Sequence, residues 1–170
     1  MGATKEEKTM AYQAAYEALK ACGLENRVRL FDVSSATVEL AAEAVGCIPA
    51  MIAKTLSFDV HGQPVLIVAA GDARIDNARF KAQFGCKAKM LTAEQVESTV
   101  GHAVGGVCSF GRKGGVRVYL DVSLKRFETV YPACGTGNSA VELHIDELEK
   151  AAQPEGWVDV CKNWQGEQNA

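Results

Sequence analysis

The sequence predicts an α+β fold, a mixed, largely antiparallel sheet flanked by helices, and three observations carry the prediction. Segments 54–60 and 116–122 alternate apolar and polar residues with the period of a half-buried strand. Segments 5–22, 37–45 and 76–84 instead repeat at helical spacing, each closed by a glycine. The two kinds of element succeed one another without the regular strand–helix–strand rhythm of a parallel α/β protein. At 170 residues, with 48% hydrophobic and 23% charged side chains, the chain is expected to form a single domain with a polar tail from about residue 154.

Taken in order, residues 5–22 form a helix whose apolar face carries Tyr12, Ala15, Tyr16 and Leu19, with Gly23 as its stop. Val28 to Val33 reads as a strand. Thr37 caps a short helix to Val45, Glu39 lies in its first turn and Gly46 stands just past its end. Pro49 enforces a turn. The strand from Lys54 to Val60 turns Leu56, Phe58 and Val60 one way and Thr55, Ser57 and Asp59 the other. Lys54 shares the apolar parity, so its ammonium either snorkels to the rim or serves a pocket. His61 to Pro64 makes a turn, and Val65 to Ala70, apolar on both parities, makes the central partner of a hairpin.

Asp76 caps a helix running to Phe84 and closed by Gly85. Lys87 to Leu91 is a short strand candidate, and Thr92 with Gln95 forms a capping box for a helix to about Thr99. After a glycine loop, 116–122 turns its valines and Leu120 inward. Phe127–Tyr131 and Ala140–Ile145 are further strand candidates, and Asp146 opens a last helix. Beyond Pro154, Trp157, Val158, Val160 and Trp164 are expected to dock loosely.

Lys plus Arg number 18 against 21 for Asp plus Glu, a net charge of −3. This excludes a protein that coats long nucleic acid, DNA included, because such binding needs many phosphate contacts. A patch touching one RNA end remains compatible. The six cysteines contain no C-x-x-C and have no zinc-ligand spacing, so neither metal nor cofactor is expected. Free thiols, no leader-like apolar core at the start and no membrane-length apolar run point to a cytoplasmic protein.

The loop Gly101–Gly111 packs four glycines among small apolar residues and is expected to lie half buried. Gly105-Gly106 reads either as a tight turn or as a place where bare N–H groups meet a ligand. Gly135-Thr136-Gly137-Asn138-Ser139-Ala140 fits the dinucleotide fingerprint, but Val141–Ile145 alternates like a strand where that site needs a helix. Ser109 lacks the nucleophile-elbow pattern, and His61, His102 and His144 stand apart as surface or structural residues.

Three stretches together resemble a known family. They are Ile52-Ala53-Lys54-Thr55-Leu56, Val104-Gly105-Gly106-Val107-Cys108-Ser109-Phe110-Gly111, and Tyr131-Pro132-Ala133-Cys134-Gly135 with Val141-Glu142-Leu143 after it. Their order and spacing are similar to the YbaK/ProX aminoacyl-tRNA deacylases, free-standing relatives of the bacterial prolyl-tRNA synthetase editing domain. The resemblance implies a sheet curled into an open barrel. It also implies a cytoplasmic enzyme that hydrolyses alanine or cysteine wrongly attached to proline tRNA, with the tRNA acceptor end and prolyl-tRNA synthetase as candidate partners.

Residue by residue it implies catalytic roles for Lys54, Gly105 and Gly106. Substrate-binding roles fall on Val104, Val107, Cys108, Ser109, Gly135 and Thr136. The family commonly has proline where this chain has Ser109, and a basic glycine run where it has 134–139. An aminoacyl ester is already activated, so backbone N–H groups, a lysine and a water suffice without a protein nucleophile. The competing class is a module that binds aminoacyl-tRNA ends or a small ligand without turnover.

Overall fold

Thr4 begins the fold as a helix cap in the computed structural model, which describes residues 4–165. Its hydroxyl accepts from the Glu7 N–H at 3.1 Å while its own N–H donates to the Glu7 carboxylate at 2.7 Å, the reciprocal pair of a capping box. Helix α1 (Lys5–Lys20) buries Ala11, Ala15 and Leu19, so the expected face is present one step towards the small residues. Strand β1 (Val28–Leu30) is shorter than its expected span. Helix α2 (Val38–Val45) begins at the Thr37 cap and ends at Gly46, whose φ of 87° is left-handed.

The hairpin forms from β2 (Ala53–Val60) and β3 (Gln63–Ala70). Its turn is tighter than expected: His61 and Gly62, with φ of 52° and 82°, make the whole connection, and Pro64 pairs with Asp59 inside β3. Asp59 steadies the turn by accepting the Gly62 N–H at 2.8 Å. Strand β4 (Arg74–Ile75) precedes α3 (Asn77–Phe84), capped by Asp76 and closed by Gly85. Residues 87–91 do not form the expected strand. They lie along β2 through the Asp59 N–H to Lys89 and Leu91 N–H to Ser57 bonds, with a single bridge between Met90 and Phe58. Helix α4 (Ala93–Thr99) carries the predicted Thr92–Gln95 capping box.

Strand β5 (Arg117–Asp121) buries Val118 and Leu120. The expected strand at 127–131 contracts to β6 (Thr129–Val130), because a 3-10 turn over Val122–Arg126 runs into Phe127, and that at 140–145 becomes β7 (Ser139–Val141) and β8 (Leu143–His144), cut short where helix α5 (Ile145–Ala152) starts. The tail does not dock loosely. Its β9 (Gly156–Val158) pairs parallel to β5, and β10 (Cys161–Lys162) pairs with β4. Buried Asp121 fixes this arrangement by accepting the Ser123 and Val160 N–H groups, each at 3.0 Å.

The main sheet runs β2-β3-β5-β9, antiparallel at β2/β3 and parallel at the other two pairings, so it is mixed. The pairs β1/β7, β4/β10 and β6/β8 are small antiparallel sheets. No closed barrel forms among the described residues. Val65 to Ala70 on β3 are fully buried, which makes that strand the spine of the core. On its flank Phe58, Phe80, Phe84 and Tyr119 stack in series with ring centroids 4.7–5.2 Å apart.

Candidate active site

A cavity of about 410 Å³ opens where α2, the first half of β2, the 104–107 turn and the 131–140 segment converge. Lys54, Ser57, Val104, Gly105, Val107 and Tyr131 are among its walls. Lys54 is only part-exposed and does not snorkel to open solvent. Its Nζ donates to the Gly71 carbonyl at 3.3 Å and, in a closer contact, to the Ala73 carbonyl, both just past the end of β3. An ammonium has three donors, so one remains beyond these two carbonyls. Burial lowers its pKa from 10.5; nearby Cys161, Asp72 and Glu39 oppose that shift, while Arg74 adds to it.

The clean alternation expected of β2 is not observed. Ser57 is buried and Leu56 only partly so, because both line the cavity and the 89–91 segment lies alongside.

The glycine pair divides its work. Gly105 lines the cavity with φ of 95°, and its N–H has no partner among the described residues. Gly106 does not face the cavity. Its N–H donates to Ala103 at 3.0 Å, and a Cβ there would stand 2.5 Å from Thr136 Cα. The expectation of two bare donors therefore reduces to one, with Gly106 supplying close approach between two loops.

Val104 and Val107 line the cavity, Val104 at an exposed rim with 66% of its surface open. Cys108 and Ser109 do not: the chain turns inward after Val107, and both are buried behind the wall with Phe110. The Cys108 thiol bonds the Phe110 carbonyl at 3.5 Å, and burial pushes its pKa up to about 12, the behaviour of a small core residue. Ser109 Oγ has no hydrogen-bond partner.

Gly135 and Thr136 line a neighbouring groove that shares Ala36 and Val104 with the cavity. Gly135, with φ of 81°, packs so closely on α1 that a Cβ there would come 2.6 Å from the Ala11 carbonyl oxygen.

The three histidines sit outside the cavity. His102 is structural and 1% exposed, with neither ring nitrogen in a well-formed hydrogen bond, and burial pushes its pKa down to about 4 against a smaller opposing contribution from the Cys108 backbone. His61 meets the Phe84 carbonyl at 3.1 Å, and His144 is exposed. Sequence reasoning missed Ser57 and Tyr131 as wall residues. Ser57 carried no signal beyond a polar parity, whereas Tyr131 stood inside a motif already singled out. No carboxylate, imidazole or thiol lines the cavity, and among the described residues no group of three His, Cys, Asp or Glu could hold a metal ion.

Comparison with known proteins decides the kinship. The aminoacyl-tRNA editing domain family matches residues 32–151. The chain belongs to this family. As an editing domain it is an aminoacyl-tRNA deacylase by class, an ester hydrolase.

It is 54% identical over 142 residues to the uncharacterized protein YwhH of Bacillus subtilis (strain 168), covering 83% of this chain and 90% of that one. A proline–tRNA ligase of Nitratidesulfovibrio vulgaris is 33% identical over 90 residues, 52% of this chain but only 16% of the ligase. Among solved structures, a candidate trans-editing enzyme for prolyl tRNA synthetase superposes with a TM-score of 0.81 at 26% identity, covering 89% of this chain and 97% of that one. The hypothetical protein APE2540 superposes at 0.76 with 28% identity, covering 86% and 97%.

The editing-domain match takes in Lys54, the 104–107 turn and the 135–136 loop. It leaves out α1 and the β9–β10 segment. No helix among the described residues is long and apolar enough to cross a membrane.

Proposed function

We propose that the chain is a trans-editing hydrolase that clears wrongly attached amino acids from tRNA. Alanine on proline tRNA is the first substrate, cysteine on proline tRNA the second, and prolyl-tRNA synthetase the enzyme whose errors it corrects. The observation that carries this reading is a part-buried Lys54, its ammonium holding two carbonyls with a third donor to spare, in the wall of the cavity that Gly105 also lines. Kinship with a proline–tRNA ligase segment and with a candidate trans-editing enzyme directs the choice of tRNA.

In the reaction, water adds to the ester carbonyl carbon and the carbonyl oxygen becomes an oxyanion. The bond to the ribose oxygen then breaks, releasing a free amino acid and a tRNA with a free terminal hydroxyl. The Gly105 N–H and the Lys54 ammonium are the groups suited to the developing negative charge. The cavity wall carries no carboxylate, imidazole or thiol, so proton transfer falls to the attacking water and the neighbouring ribose hydroxyl.

A cavity of this volume exceeds an alanine side chain. Selectivity therefore rests on holding the ester at Gly105 while Val104, Val107 and the methyls of Ala36 and Ala53 limit the size of the attached side chain. One methylene in such a pocket separates substrates by about 1–3 kcal/mol. The test is a side-by-side rate for alanyl, cysteinyl and prolyl esters on one proline tRNA. The expected order is alanine, then cysteine, with proline spared. Fastest release of proline refutes the substrate assignment, and release of none leaves a binding module.

A further inference from the structure

We propose that α1 and the 135–138 loop build a seat for the single-stranded 3′ end of the RNA, holding the nucleotides that precede the esterified one. This rests on the deacylase reading of the adjoining cavity. The seat is a groove of about 700 Å³ on the surface beside that cavity, and Ala36 and Val104 belong to both. An ester held at Gly105 therefore leaves its polynucleotide chain at the mouth of this groove. The helix that forms one bank lies outside the residues matched by the editing domain family.

The groove has the two chemistries that an unpaired strand presents. Its cations are Lys5 and Lys8, both exposed, with side chains neither hydrogen-bonded nor ion-paired among the described residues. Facing them is one acid of the groove, Asp32. The Glu7 carboxylate between the two lysines in sequence is held by the Thr4 N–H at 2.7 Å. Phosphates suit the lysines.

Bases suit the rest. Half-buried Tyr12 and Phe31 line the groove, and its apolar residues Leu30, Val33 and Val104 are 58%, 61% and 66% exposed. Apolar side chains left open beside unpaired lysines are what stacked bases on a charged backbone cover, with little regard to sequence. An apolar protein segment would cover the first and leave the second unmatched. Few cations are involved, which fits a chain of net charge −3 that grips only a short strand.

The test is direct binding of an uncharged acceptor-stem minihelix, with and without its unpaired 3′ extension, measured by fluorescence anisotropy. Wild type and the Lys5→Glu/Lys8→Glu double variant are compared. Both lysine side chains are exposed and make no hydrogen bond, so the variant folds normally, which its circular dichroism and urea midpoint verify.

Removing the extension is expected to weaken wild-type binding at least tenfold and the double variant less than threefold. The wild-type salt slope should exceed that of the variant by about 1.4, from about 0.7 per single-strand phosphate contact. Equal losses in the two proteins overturn the proposal, as does a charge reversal without effect or a wild type that does not bind at low salt. Because the RNA is uncharged, the measurement needs no turnover. Coupled binding in a chain that hydrolyses no ester keeps the seat and sinks the deacylase reading. Ester hydrolysis with no coupling does the reverse.

Discussion

Replacing Lys54 by methionine separates the two jobs the structure gives this side chain. Methionine keeps most of the apolar stem and removes the ammonium. If the third donor meets the oxyanion, its loss should lower kcat/KM by about 10²–10³, or roughly 2.7–4 kcal/mol of transition-state stabilisation. The other two donors hold the Gly71 and Ala73 carbonyls, which tie β2 to the turn after β3. Leaving those carbonyls without that partner costs stability, on the order of 1–3 kcal/mol, offset in part because the buried charge was itself unfavourable.

The pH dependence has a definite sign. Burial lowers the Lys54 pKa, so the ammonium gives up its proton at a pH below the ordinary 10.5. Wild-type kcat/KM should fall on the alkaline side as that proton leaves, and the methionine variant should lack that limb. Stability moves the other way across the window: the unfolded chain binds the extra proton there, so rising pH favours the fold. The assay is single-turnover deacylation of alanyl proline tRNA beside urea unfolding of both proteins. A methionine variant with wild-type kcat/KM and reduced stability refutes the catalytic role and leaves Lys54 as a latch.

Two further outcomes are expected. Gly106→Ala should destabilise by about 1–3 kcal/mol in urea unfolding, because its Cβ meets Thr136 backbone atoms at 2.5–2.7 Å and the loops must part; an unchanged midpoint would show that the contact is soft. His102 should make the fold acid-sensitive. Its pKa is about 4 when buried and about 6.5 when unfolded, so stability present above pH 6.5 is lost as pH falls towards 4, by about 3 kcal/mol. Urea titrations of wild type and His102→Leu should diverge across that range, and parallel curves would place the imidazole in contact with water.

What the sequence made legible was local. Thr37, Asp76 and Thr92 cap the helices that their hydroxyls and carboxylate announce, since a cap is decided within three or four residues. Pairing across the sheet was not legible. Gly156–Val158 is too short to signal a strand, and its place beside β5 depends on Asp121 reaching the Val160 N–H from 39 positions away. The 87–91 segment shows the opposite failure: strand-like residues that lie along β2 without completing a ladder.

The site was legible to the extent that its residues stand on strands or in singled-out loops. Lys54, Val104, Gly105 and Val107 do meet at one cavity. Within a turn, however, one change of φ decides which neighbour faces out, and no composition rule separates Val107 from Cys108, which the chain buries. Gly135 and Thr136, in a separate loop, line the next groove instead. The cavity is walled by hydroxyl, apolar side chains, backbone and one ammonium, a set that can bind, orient and stabilise negative charge and that holds no carboxylate or imidazole to act as a base. An ester already activated by its ribose asks for little else, so the rate this site can produce depends on how firmly β2 and the 104–107 turn are held, and on how well the rest of the RNA is anchored beside them.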